Sequence, residues 1–250
     1  MIHDYHYVWL IWSVAFLCPW AILYVVLPAH RAVMWKTSLF MAPFGLTEPL
    51  FVPEYWNPPS LFDLAQRTGF DIESFIFSFA IGGIGAVLYN LLMRRRLVPL
   101  AAHHHRNRLH RFHKLAIALP FALFPALYFL PWNPIYPAIV AMVAGGIAAV
   151  LCRPDLLPNT LLGGVLFLGF YTVFLIGLEW SAPGYIAQVW NLQALSGVVP
   201  FGLPLEELLF GFGFGLFWTG LYEHYSWHRS EPGLAPQRKP LDDQIKRSDS

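Results

Sequence analysis

Two stretches of this chain decide its fold. Residues 69–90 read GFDIESFIFSFAIGGIGAVLYN, and residues 202–223 read GLPLEELLFGFGFGLFWTGLYE. Aligned without gaps, they share a glycine, a glutamate, two phenylalanines, a second glycine, a leucine and a tyrosine, at Gly69/Gly202, Glu73/Glu206, Phe77/Phe210, Phe79/Phe212, Gly82/Gly215, Leu88/Leu221 and Tyr89/Tyr222. Each stretch begins with acidic residues and continues as an apolar helix. The match predicts an internal duplication.

The composition around these stretches is that of a membrane protein. Only 12% of the 250 residues are charged, 56% are hydrophobic and 17% are aromatic. Ordinary globular chains carry about twice that share of charge, so the composition excludes a coiled coil, a disordered chain and an ordinary soluble enzyme. A net charge of +1 gives no reason to expect nucleic acid as a partner.

Apolar windows of about 20 residues predict the membrane-spanning helices, because each must satisfy its own backbone in lipid. Seven such windows are present, at about 7–28, 33–52, 72–93, 112–130, 134–152, 159–179 and 204–223. We therefore predict an all-α polytopic helical bundle. Spans one to three and five to seven form two three-helix repeats in the same orientation, and span four joins them.

The predicted division of the chain follows the duplication. Residues 1–93 form the first repeat, 94–132 a basic loop with the linker helix, 133–227 the second repeat, and 228–250 a disordered tail. Before residue 228, ten of 11 basic residues fall on one side of the predicted membrane and nine of 11 acids on the other. By the positive-inside rule, the N-terminus lies outside and the C-terminus in the cytoplasm of a cell (inner) membrane protein.

The carboxylates at the start of spans three and seven are the candidate catalytic groups. They are Glu73 in the first repeat and Glu206 and Glu207 in the second. A structural interpretation is available, because acids favour the positive end of a helix. The functional interpretation notes that ionisable groups at membrane depth are costly and usually functional. Of the adjacent pair, the alignment favours Glu206 as the cleft-facing residue, since Ser74 stands where Glu207 would match.

Aromatic side chains follow each carboxylate at helical spacing and predict an apolar substrate lining. The candidates are Phe77, Phe210, Phe214 and Phe217, with Trp56 and Trp190 from the preceding loops. The two tryptophans, with Tyr55 and Tyr185, either cover the substrate or form the aromatic belt common at membrane interfaces.

Histidines concentrate in the basic loop before span four. His103, His104, His105, His110 and His113 contain one His-x4-His pair and a fragment of a second box, which is too little for a membrane di-iron site. Interleaved arginines favour anionic lipid over a metal. We expect no metal and, without a nucleotide fingerprint, no cofactor.

The duplicated unit with its Pro204-x-Glu206-Glu207 motif resembles the integral-membrane lycopene cyclase domain family, whose members occur as paired subunits or as fused tandem domains. The resemblance covers nearly all of residues 1–227. It implies that Glu206 and Glu207 are catalytic. The first copy departs from the motif: Asp71 stands in place of proline and Ser74 in place of the second acid, so only Glu73 transfers.

The resemblance implies a non-redox, acid-catalysed ring closure at an acyclic polyene end. A carboxylic acid protonates a terminal alkene, a neighbouring double bond attacks the cation, and a base removes a ring proton. The enzyme would be a lycopene cyclase-like isomerase (an intramolecular lyase) of carotenoid biosynthesis. Its partners would be a hydrophobic polyene or isoprenoid substrate, the lipid bilayer and a homo- or hetero-oligomeric partner.

Two other hypotheses stay open. The weakened first motif fits a non-catalytic isoprenoid-binding or assembly partner of membrane carotenoid enzymes. The histidines leave a hydroxylase or oxygenase as a further alternative.

Overall fold

The computed structural model describes residues 5–101 and 108–233. In this part of the chain, nearly all regular structure is helical. The helices are α1 (Val8–Ala15), α2 (Leu17–Val26), α3 (Arg31–Met41), α4 (Leu64–Thr68), α5 (Ile72–Leu92), α6 (His113–Tyr128), α7 (Ile135–Cys152), α8 (Leu157–Ser181), α9 (Tyr185–Val189) and α10 (Leu205–Ser226), and the strands are β1 (Arg95–Pro99) and β2 (His228–Pro232).

Four helical segments in the described ranges are long and apolar enough to cross a membrane. They are Tyr5–Val26, Ile72–Leu92, Ile135–Cys152 and Pro154–Ser181. Their outer faces expose large apolar side chains such as Leu151 and Val173, 70% and 71% exposed, as expected of surfaces that contact lipid. The chain is thus consistent with a membrane protein.

The other three predicted spans are also helical. However, α3 has 11 residues before a 3-10 segment at Ala42–Leu50, α6 has 16, and α10 carries three glutamates in its 22 residues. The all-α fold is confirmed, whereas seven membrane crossings and their orientation remain a prediction.

Helices α5 and α10 form the centre of the bundle. The indole of Trp218 donates to the Gly82 carbonyl at 2.8 Å, and the hydroxyl of Thr219 donates to the Gly85 carbonyl at 3.1 Å. On its other side α10 packs against α8, where a Cβ placed on Gly215 would lie 2.4 Å from the Gly163 carbonyl oxygen. Small residues permit this close approach of two backbones, as is common between membrane helices.

Equivalent positions of the two predicted repeats share unusual backbone geometry. Gly69 and Gly202 both have φ of +80°, while Arg94 and Trp227 have φ of 50° and 55°. The members of each pair are 133 residues apart, as are Leu97 and Ser230, which pair at the middle of the β1–β2 ribbon. These relations are what a parallel duplication predicts, and they support the proposed repeat.

The ribbon changes the expected start of the tail. Residues 228–232 were assigned to a disordered segment, but they form β2 and pair antiparallel with β1. The Ser230 hydroxyl lies within hydrogen-bonding distance of Glu223 Oε1, at 2.6 Å, and of Asn90 Oδ1, at 2.8 Å, which anchors the strand to α10 and α5. The pattern of apolar residues does not predict this strand, because backbone pairing with β1 and buried polar contacts stabilise it. The rest of the expected tail, 234–250, lies outside the described residues.

Candidate functional site

An apolar cavity of about 480 Å³ lies inside the bundle. Its walls come from both halves of the chain and from the linker helix α6. Aromatic side chains dominate the walls, among them Trp9, Phe44, Phe51, Phe121, Phe124 and Phe174. The volume is in the range that small hydrophobic ligands occupy in protein pockets.

All six residues predicted to bind substrate line this cavity: Phe77, Phe210, Phe214, Phe217, Trp56 and Trp190. Helices α5 and α10 carry the phenylalanines, and the two tryptophans come from the loops before those helices. Trp56 and Trp190 form an antiparallel backbone bridge, and their rings lie 5.2 Å apart. The sequence thus identified a group of residues that the fold brings together.

Two carboxyl groups line the cavity, those of Glu207 and Glu48, which are 4% and 7% exposed. Glu207 lies in the first turn of α10. Glu48 lies in the 3-10 segment that follows α3. Both are therefore held among apolar walls, where a carboxyl group can act on a hydrophobic ligand.

Three donors hold the Glu207 side chain. Its Oε1 accepts hydrogen bonds from the Tyr55 hydroxyl and from the Trp190 indole, the latter at 2.7 Å, and its Oε2 accepts one from the Tyr171 hydroxyl at 2.6 Å. A carboxylate is an acceptor-only group, and several donors favour its charged form. The three donors therefore hold the Glu207 carboxyl group in a fixed orientation.

Tyr55 lies outside the helical spans and is buried. Burial, followed by the nearby Glu207 carboxylate, raises the pKa of the Tyr55 phenol well above its ordinary value. The phenol therefore stays protonated and remains a hydrogen-bond donor to Glu207.

Glu48 has a different environment. Its Oε1 is buried and has no hydrogen-bond partner in the described ranges, and its neighbours are Ser74 and Trp56. Burial of an unpaired charge is costly, so this environment fits a neutral carboxylic acid.

The expectation that Glu206 faces the cleft is wrong, because Glu207 lines the cavity and Glu206 does not. The Glu206 Oε1 instead accepts hydrogen bonds from the Tyr136 hydroxyl and the Ser196 backbone N–H, each at 2.8 Å. Adjacent residues on a helix point about 100° apart. The alignment of the two repeats identifies equivalent positions but does not show which side chain points toward the cavity.

Glu73 also lies away from the cavity lining. Its Oε1 accepts the Leu61 backbone N–H at 2.7 Å. Glu73 and Glu206 therefore do the same structural work, because each connects the start of its helix to the loop before it. This shared contact gives a physical reason for their match in the two repeats.

The aromatic loop residues pack into the protein interior. Tyr55, Trp56, Tyr185 and Trp190 are all buried, at most 9% exposed. Tyr185 packs edge-on against Tyr5 with ring centroids 5.5 Å apart. Tyr55, Trp56 and Trp190 line the cavity, and Tyr185 is buried next to Trp190.

Glu48 and Tyr171 were missed by the sequence reasoning. Glu48 is one of the nine acids on the predicted outer side and matches Glu179 in the comparison of the two repeats, but neither observation marks it as a site residue. Tyr171 lies in the middle of α8, an apolar helix in which one hydroxyl gives no signal. In the sequence, each is only a polar residue inside an otherwise apolar segment, which is a weak indication of a functional role.

The second half of the chain is similar to a known family. Residues 133–225 match the lycopene cyclase family. This confirms the resemblance over helices α7 to α10, including Glu206 and Glu207. No curated protein and no solved structure matches the chain. Helices α7 to α10 supply one wall of the cavity, and residues 5–101 with α6 supply the rest.

Proposed function

We propose that this protein is a membrane-embedded, lycopene cyclase-like enzyme. It closes a ring at the end of a hydrophobic polyene or isoprenoid, without net oxidation. The observation that carries the proposal is the presence of two differently held carboxyl groups, Glu48 and Glu207, in one aromatic cavity. The family match of residues 133–225 supports the same chemistry.

Glu48 is the proposed proton donor. A group that protonates an alkene must be a neutral acid in an apolar site. The unpaired, buried Oε1 of Glu48 supports this role. Proton transfer to the terminal alkene leaves a tertiary carbocation on the substrate and a carboxylate on Glu48.

The cavity walls and Glu207 then stabilise the cation. Aromatic faces attract a cation by about 1–2 kcal/mol each when water is excluded. Phe77, Phe210 and Phe214 are placed for this on the two central helices. The negative charge of the Glu207 carboxylate attracts the positive charge of the substrate cation. Glu207 is also the proposed base that accepts the ring proton.

One proton from Glu48 adds to the terminal alkene and consumes that double bond. A carbon–carbon bond then forms as a second double bond is consumed, and one proton leaves to Glu207 as one new double bond forms. The product is an isomer of the substrate, so the reaction as written needs no oxidant or reductant. Return of the proton from Glu207 to Glu48 through solvent or bound water completes the cycle.

Expression of the full chain in a lycopene-accumulating bacterium tests the proposal. We expect ring-bearing pigments by chromatography, with the masses of isomers of lycopene, only when the protein is detected in the membrane. The double variant Glu48→Gln/Glu207→Gln is expected to give unchanged lycopene at the same membrane level.

The same experiment separates the alternatives. A non-catalytic isoprenoid-binding or assembly partner would leave lycopene unchanged while the wild-type protein is present in the membrane. Oxygenated pigments would indicate a hydroxylase. Either result would reject the cyclase on this substrate.

A further inference from the structure

A second group of reactive side chains lies at the other end of α10. His224 is 17 residues after Glu207, which corresponds to about 25 Å along the helix. Here the start of α6, the end of α7 and the end of α10 meet. They bring together His110, His113, Cys152 and His224, which are widely separated in sequence.

Three of these residues have the spacing of metal ligands. The Cys152 sulfur lies 3.6 Å from the Nδ1 of His110 and 3.6 Å from the Nδ1 of His113. Their potential ligand atoms all lie within 4.8 Å of one another. Tetrahedral zinc with Zn–S of about 2.3 Å and Zn–N of about 2.0–2.1 Å sets neighbouring sulfur and nitrogen ligands ~3.6 Å apart. Both sulfur–nitrogen distances match this geometry.

A fourth nitrogen lies beside the cluster. His224 is 1% exposed, and its ring meets that of His113 edge-on with centroids 4.5 Å apart. In the described part of the chain, its buried Nε2 has no hydrogen-bond partner. A buried imidazole nitrogen without a partner is unusual, and coordination of a cation would satisfy it.

The surroundings allow a cation to bind. Trp227 stacks on His113 at 4.1 Å and meets His110 edge-on at 5.1 Å, so an indole covers the cluster. The nearby positive charge of Arg153 is paired with Asp155 at 2.5 Å. The Arg153 guanidinium also donates to the Glu223 carbonyl at 2.8 Å, so its own hydrogen bonds hold it in place.

We propose that Cys152, His110 and His113 form a site for a thiophilic transition-metal ion of the zinc type, with the buried His224 ring packed beside it. Thiolate and imidazole are both ligands that zinc binds. The ion would cross-link the linker helix α6 to α7. Counting histidine boxes along the sequence led to the opposite expectation, because Cys152 and His224 come from distant segments.

Metal binding to the purified full-length chain tests this site. Co²⁺ is added to chelator-treated protein in detergent, and the thiolate-to-cobalt charge-transfer absorption and tetrahedral visible bands are recorded. We expect saturation near one Co²⁺ per chain and displacement by Zn²⁺. Cys152→Ser should abolish the charge-transfer band, and His113→Ala should weaken binding at least tenfold. Cys18→Ser is the matched control, since Cys18 is the chain's other cysteine and is exposed.

A stability measurement covers the case in which the Cys152 variant does not fold. Zinc should raise the thermal midpoint of the wild-type protein and of the Cys18→Ser variant by several degrees. Absence of both the cobalt band and the thermal shift in folded wild-type protein would overturn the proposal and leave ordinary thiol–imidazole hydrogen bonds. Binding that is unchanged in His113→Ala and Cys152→Ser would overturn it as well.

Discussion

The Tyr55 hydroxyl donates a hydrogen bond to Glu207 although the two residues are 152 positions apart. Tyr55 belongs to the first half of the chain and Glu207 to the second. The Trp190 indole donates a hydrogen bond to the same carboxylate oxygen of Glu207. The orientation of the proposed catalytic carboxylate is therefore a joint product of both halves, which gives the duplication a functional consequence.

Glu207→Gln is expected to remove most ring formation, by about a hundredfold or more, because general acid–base groups contribute about 10²–10⁴-fold. Pigment chromatography against membrane protein level measures it. Glu206→Gln is the matched control, because it changes the adjacent carboxyl group, which contacts Tyr136 and Ser196 instead of the cavity. A larger loss in Glu206→Gln than in Glu207→Gln would contradict the assignment.

Glu48→Gln is expected to remove the proton donor and leave substrate uncyclised, with a loss of similar size. The variant keeps the volume of the side chain, so the protein should still reach the membrane. Glu179→Gln serves as the control. Glu179 accepts the backbone N–H groups of Gly184 and Ile186 and does not line the cavity. Equal activity of wild type and Glu48→Gln would rule out Glu48 as the donor.

Tyr171→Phe should lower activity about tenfold to a hundredfold. The Tyr171 hydroxyl is the donor to Oε2 of Glu207, and an unpaired buried acceptor costs about 1–3 kcal/mol. Initial rates of cyclisation and the thermal midpoint in detergent are to be measured together. Tyr222→Phe removes a hydroxyl from α10, away from Glu207, and should match the wild type; an equal loss there would show a non-specific effect.

Gly215→Ala should destabilise the protein by about 1–3 kcal/mol or more, the usual cost of overpacking. A methyl group there would lie 2.4 Å from the Gly163 carbonyl oxygen and 2.8 Å from the Gly164 Cα, both backbone atoms of α8. Gly169→Ala, on α8 itself, meets nothing within 4 Å. Thermal unfolding in detergent compares the two; we expect Gly169→Ala to be neutral or slightly stabilising.

Much of the fold was predictable because a long apolar segment in lipid must form a helix to satisfy its own backbone hydrogen bonds. The windows 72–93 and 134–152 correspond to α5 and α7 within two residues at either end. The β1–β2 ribbon was not predictable in this way. It depends on pairing between residues 95–99 and 228–232 and on the polar contacts of Ser230, and neither has a local pattern.

The site was predictable in its residue types more than in its geometry. Helical spacing placed Phe77, Phe210 and Phe214 on a common lining, and the cavity contains them all. The choice between Glu206 and Glu207 failed, since rotation of a helix about its axis is set by its neighbours. In lipid, apolar side chains on every face leave that rotation undetermined.

The sequence by itself determined that the chain is helical and has helices apolar enough to cross a membrane, because length and apolarity are local properties. Its self-similarity predicts two related halves. It also determined the resemblance to lycopene cyclases that residues 133–225 bear out. Only the tertiary structure decided which carboxyl groups enter the cavity and which donors hold them. Contacts such as Tyr55–Glu207 and Cys152–His113 join residues from separate helices, and only packing brings those helices together.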